Sequence, residues 1–156
     1  MCDNYIICQE RLVVVVVVVV EIKKEDINPI SLPHQKDIIH WAISGGRRAI
    51  FASFGLGKTL MQLEIARLII EHTGKPFLIC MPLGVVGEFK DDNEFLNTGY
   101  DLKYITDSDN VETSDLAIYV TNYERIRKGD VKPEYFGGVS FDEASILRNL
   151  KTETTN

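Results

Sequence analysis

The chain has 156 residues, 17 Lys and Arg against 23 Asp and Glu, and a formal net charge of −6; that length suits one domain of ordinary size and excludes two full ones. Hydrophobic residues make up 45% and charged residues 26%, which argues against a wholly disordered or collagen-like chain. Three widely spaced cysteines, Cys2, Cys8 and Cys80, form no CxxC pair, so the expectation is a reducing cytoplasm with no disulfide framework or zinc cluster. The acidity is local. Nine acidic and two basic residues between Glu88 and Asp115 give 2 − 9 = −7, leaving +1 for the other 156 − 28 = 128 residues. Bulk charge therefore supplies no affinity for nucleic acid, although a few placed groups still could.

Leu12 to Val20 is nine apolar residues in a row, eight of them valine. A membrane-spanning helix needs about 20, and Asp3 and Glu10 stand where a signal peptide carries positive charge; no membrane partner is expected. β-Branched residues favour extended structure, so the tract reads as a buried strand. An exposed, adhesive strand is one alternative, and a local oddity of the sequence such as an expanded codon repeat is another. Residues 1–27 are assigned to an N-terminal extension and residues 28–156 to the domain proper.

Beyond the charged spacer Glu21–Asp26, strand-like and helix-like stretches alternate. Pro33 opens a helix over His34–Ser44, which Gly45 and Gly46 end. A short apolar run at Ala49–Ala52 reads as a strand, and a helix follows from Lys58 to His72. On that helix Glu64, Arg67 and Glu71, at spacings of three and four, are expected to mark the solvent face. Phe77–Met81 is a strand buried on both faces, Val85–Leu96 a helix, Leu102–Thr106 and Leu116–Thr121 strands. Asn122–Lys128 is a short helix and Gly138–Asp142 a last strand. This alternation predicts an α/β fold with a parallel sheet and helices on both faces.

Between one such strand and helix lies Ala52-Ser53-Phe54-Gly55-Leu56-Gly57-Lys58-Thr59. Glycines let successive N–H groups curl around an anion at a helix N-terminus. In such a loop Lys58 reaches the β- and γ-phosphates, and Thr59 offers a hydroxyl to Mg²⁺. A glycine turn with a surface lysine is the plainer alternative, but it needs no strand before or helix after. Asp142 and Glu143 end the last strand, where parallel sheets open their ligand crevice. There Asp142 can hold Mg²⁺ through water and Glu143 can orient and deprotonate an attacking water. A solvated turn is the other reading of this pair.

With both elements in place, the chain resembles the first RecA-like lobe of a superfamily 2 helicase or translocase. AxxGxGKT at Ala52–Thr59 is similar to that superfamily's motif I. Asp142-Glu143-Ala144-Ser145 looks like a variant of the DEAD/DEAH box, and with Ile146–Asn149 it is closest to the Swi/Snf-like branch. Phage-borne members are similar through FxxxGLGKTxMQLE (Phe51–Glu64) and TNYER (Thr121–Arg125). The resemblance covers about residues 28–150.

It implies a three-layer RecA-like P-loop fold with a mainly parallel sheet, incomplete at its C-terminal end. It also implies ATP and Mg²⁺ as cofactors, gripped by Gly55, Leu56, Gly57, Lys58 and Thr59, with Lys58, Asp142 and Glu143 catalytic. Gln35 in Leu32-Pro33-His34-Gln35 would bond the adenine edge, though it could be an ordinary polar residue of an exposed helix. Pro82 and Leu83, and Thr121 and Asn122, fall where the family touches the nucleic-acid backbone; Pro82 could instead start a helix, and Tyr123 could be core. Arg47, Arg48, Arg125, Arg127 and Lys128 read as solvated surface charge, with contact to a nucleic-acid backbone the other reading. The partners implied are nucleic acid, double-stranded DNA first, and a second RecA-like lobe not contained in these residues. Without that lobe's arginine fingers, hydrolysis is expected to be slow. The location implied is the cytoplasm, that of the host for a phage protein. Two other readings stand beside this one: a P-loop nucleotide module outside the helicases, and an inactive helicase fragment.

Overall fold

A computed structural model describes residues 11–52, 57–112 and 114–142. Among these residues six strands form one sheet: β1 (Arg11–Val17), β2 (Arg47–Ala52), β3 (Phe77–Cys80), β4 (Leu102–Tyr104), β5 (Ile118–Thr121) and β6 (Gly138–Phe141). Four α-helices accompany them: α1 (Pro33–Gly45), α2 (Lys58–Thr73), α3 (Val86–Leu96) and the single turn α4 (Tyr123–Arg127). The sheet order is β2-β1-β6-β3-β5-β4. Ladders β6–β3, β3–β5 and β5–β4 are parallel. The architecture is α/β, with a mostly parallel sheet flanked by helices.

The valine tract departs from the expected parallel arrangement. β1 lies inside the sheet and runs antiparallel to both β2 and β6. The stretch assigned to an N-terminal extension thus contributes a strand next to the middle of the sheet. Since β1 opposes each neighbour, β2 and β6 point the same way as one another, and five strands end at one common edge. The tract is a strand only as far as Val17; Val18 and Val19 are exposed. Its end is pinned by the Val17 N–H donating to the Gly46 carbonyl at 2.7 Å and the Val18 N–H to that of Gly137 at 3.2 Å.

The two sheet faces are covered unequally. On one face Val13, Val15, Val17, Phe77, Ile79, Ile118 and Val120 pack with α1, α2 and α3 into the larger core. On the other, Leu78, Tyr119 and Val139 meet Ile105, Val131 and Phe136, with Ile126 of α4 beside them. The expected helices on both faces are therefore three on one side and a single turn on the other, among the described residues. All four residues of β3 are buried, as its uninterrupted apolar run predicts. Among the described residues no helix is long and apolar enough to cross a membrane.

Helix α2 overturns one expectation. Glu64 does not face solvent; it is wholly buried. Arg67 grips it with two bonds, Nε to Oε1 at 2.6 Å and a terminal nitrogen to Oε2 at 2.7 Å. The Asn28 backbone N–H donates to the same Oε2 at 2.5 Å, while Arg67 also donates to the Asp26 carbonyl at 2.9 Å. The trio clamps the segment leading to α1 onto α2. A buried carboxylate is tolerable only when paired and bonded in this way, and the partnership raises the Arg67 pKa above its ordinary value, the hydrogen bond Arg67 donates to Glu64 leading over the opposing effect of burial. Glu71 alone of the three is exposed.

Candidate functional site

The common edge where five strands end gathers several of the residues singled out by the sequence. Gly57 and Lys58 follow β2, Pro82 follows β3, Asn122 follows β5 and Asp142 follows β6. Gly57 stands in the left-handed region (φ 70°, ψ 37°) as the residue before α2, a conformation that favours glycine. A side chain there would also collide with Gln35, whose Nε2 lies 2.5 Å from the position of an added Cβ. Gln35 is buried and accepts at Oε1 from the Leu32 N–H at 2.9 Å. It therefore sits against the start of α2 while capping its own helix.

Lys58 is the first residue of α2, and its Nζ donates to Asp142 Oδ1 at 2.9 Å. The pair is shielded, with side-chain exposures of 15% and 1%. In the sheet β1 lies between β2 and β6, which are about 10 Å apart at roughly 4.8 Å per spacing, and it is the start of α2, not β2 itself, that brings Lys58 to Asp142. Thr59, next on α2, is buried. Asp142 is fixed through its backbone as well: its N–H donates to the Cys80 carbonyl at 2.8 Å, and its own carbonyl accepts from the Tyr123 hydroxyl. Burial and, after it, the Asp142 charge push the Cys80 thiol up.

A second donor reaches the same carboxylate oxygen. Gln62 Nε2 donates to Asp142 Oδ1 at 3.1 Å, and Gln62 Oε1 accepts from the Ser140 hydroxyl at 2.5 Å. All three side chains are buried. Sequence reasoning passed over Gln62 and Ser140. The signal available was spacing: Gln62 is four residues after Lys58, hence on the same face of the helix, and it is an uncharged polar residue within an otherwise apolar run.

The remaining expectations divide. Gly55, Leu56 and Glu143 lie outside the described residues. Pro82 precedes a 3-10 turn, Leu83–Val85, as a turn-starting proline does, and Leu83 is exposed. Thr121 is completely buried and its Oγ1 has no hydrogen-bond partner among the described residues, so its side chain offers no surface to a large ligand. Asn122 is occupied locally: Oδ1 accepts from the Arg125 N–H at 3.1 Å, capping α4, and Nδ2 donates to the Tyr104 hydroxyl at 2.9 Å. Arg125 and Lys128 pair with Asp130 and Glu124 at the surface, and Arg48 lies 4.8 Å from the centre of the Trp41 ring.

Among the described residues no group of three or more His, Cys, Asp or Glu could hold a metal. The oxygens at hand, the Thr59 hydroxyl and the Asp142 carboxylate, are hard donors suited to Mg²⁺, which commonly takes one or two protein ligands and completes its shell with phosphate and water. Lys58 at a helix N-terminus is equally suited to a phosphate. Compared with protein-family models, with curated proteins and with solved structures, the chain matches none of them.

Proposed function

We propose that the chain is the nucleotide-binding lobe of a nucleic-acid-dependent ATPase, built on a RecA-like P-loop fold and nearest in its motifs to the Swi/Snf-like branch of superfamily 2. The observation that carries this reading is the meeting of Lys58 and Asp142. Residues 84 positions apart approach to 2.9 Å, at the edge where β2 and β6 both end. A glycine-capped helix start beside a shielded carboxylate is what a magnesium triphosphate needs: dipole and ammonium for the phosphates, hard oxygens for the metal. With a nucleotide bound, Lys58 would turn from Asp142 to the phosphates, and Asp142 and Thr59 would be the residues to hold the metal. Gln35, which lies against Gly57, would meet the base. Double-stranded DNA as partner and a cytoplasmic location belong to the same proposal.

A fluorescent ATP analogue titrated with Mg²⁺ tests it. Lys58→Ala is expected to weaken binding about tenfold or more, the loss of one charge-assisted contact. An unchanged affinity defeats the reading. The enclosed Thr121 and the locally engaged Asn122 favour a second one, a P-loop nucleotide module with no nucleic-acid track. ATPase activity indifferent to added DNA selects that alternative.

A further inference from the structure

Gln62 has no reason to be on the buried face of α2 unless its amide is used. An unpartnered buried amide is costly, and an aliphatic side chain would fill the space without that cost. Both ends of the amide are engaged, and the chemistry fixes which way round. A carboxylate accepts only, so the NH₂ group must face Asp142; the Ser140 hydroxyl then donates to the amide oxygen. Lys58 and Gln62 thus converge on one oxygen of one carboxylate from the same face of one helix.

We propose that Gln62, oriented by Ser140, is the positioning residue for Asp142: it holds the carboxylate in place, and keeps it partnered, when Lys58 leaves for a triphosphate. The inference rests on the nucleotide reading and deepens it. Without Gln62, the departure of Lys58 would strip a 1%-exposed carboxylate of its described side-chain donors, a costly state in a low-dielectric site. With it, the carboxylate keeps its orientation for the metal. The coupling between nucleotide and Mg²⁺ therefore runs through a residue that touches neither.

The test compares affinities for a fluorescent ATP analogue in excess Mg²⁺ and in EDTA, using the full chain. In Gln62→Leu the metal-free affinity should stay within about twofold of the parent, while the gain conferred by Mg²⁺ falls about tenfold, the usual cost of removing an outer-sphere partner. Ser140→Ala, which leaves the amide present but unanchored, should lose about threefold of that gain; it decides the matter if Gln62→Leu does not fold. An undiminished Mg²⁺ gain in the variants overturns the proposal, and so does an equal loss with and without metal, which marks a merely structural role. A parent protein that binds no nucleotide at all removes the underlying reading instead.

Discussion

β1 and β3 are both interior strands made only of apolar residues past Arg11, yet they are held in different ways. β3 is flanked by parallel partners and is buried on both faces, with Leu78 on one side and Phe77 and Ile79 on the other. β1 is antiparallel to both neighbours and only its Val13, Val15 and Val17 side is fully buried; Leu12, Val14 and Val16 are half-buried. The four side chains of β3 differ in size and shape, so sliding it would misplace each one. A run of identical valines can slip by two residues and look unchanged from the core. What fixes β1 must therefore come from its surroundings. Gly138 is one such device: an added Cβ there would lie 2.6 Å from the Phe77 ring and 2.8 Å from Val17 Cγ1.

The largest effect that would sharpen this contrast is a charge on the covered side of β1. Val15→Asp buries an unpaired carboxylate and is expected to cost about 5 kcal/mol or more, enough to unfold an average domain, whereas Val14→Thr on the half-buried side should leave the denaturation midpoint nearly unchanged. Similar losses from the two would break the claim of one-sided burial. In β3, Ile79→Ala should cost about 2–5 kcal/mol through lost contacts and a cavity, read from urea unfolding; a loss under 1 kcal/mol would mean the strand is not packed on both sides. Smallest is Gly138→Ala, expected to destabilise by about 1–3 kcal/mol through overpacking between Phe77 and Val17. Backbone hydrogen exchange on β1 should rise with it, and unaltered protection there would remove Gly138 as a register pin.

The site was legible to the extent that its chemistry is local. The glycine before Lys58, the helix after it and the acid at the end of an apolar run are all short-range patterns. The structure brings Lys58 and Asp142 within 2.9 Å of one another. Gln62 and Ser140 were not legible, because what gives them meaning is a carboxylate 80 positions away from one of them. Glu64 misled for a related reason: periodicity placed it on a face with Arg67 and Glu71, but could not say that the segment around Asn28 covers part of that face.

By itself the amino-acid sequence determined where strands and helices form and which turn holds the glycine-capped lysine, since φ/ψ preferences and side-chain periodicity act over a few residues. Only the tertiary structure decided that the valine tract runs antiparallel between β2 and β6, that Glu64 is enclosed, and that Gln62 joins Lys58 on Asp142. An apolar run satisfies a parallel or an antiparallel ladder equally well, and a buried polar group is defined by partners far along the chain. Both are settled when distant segments meet.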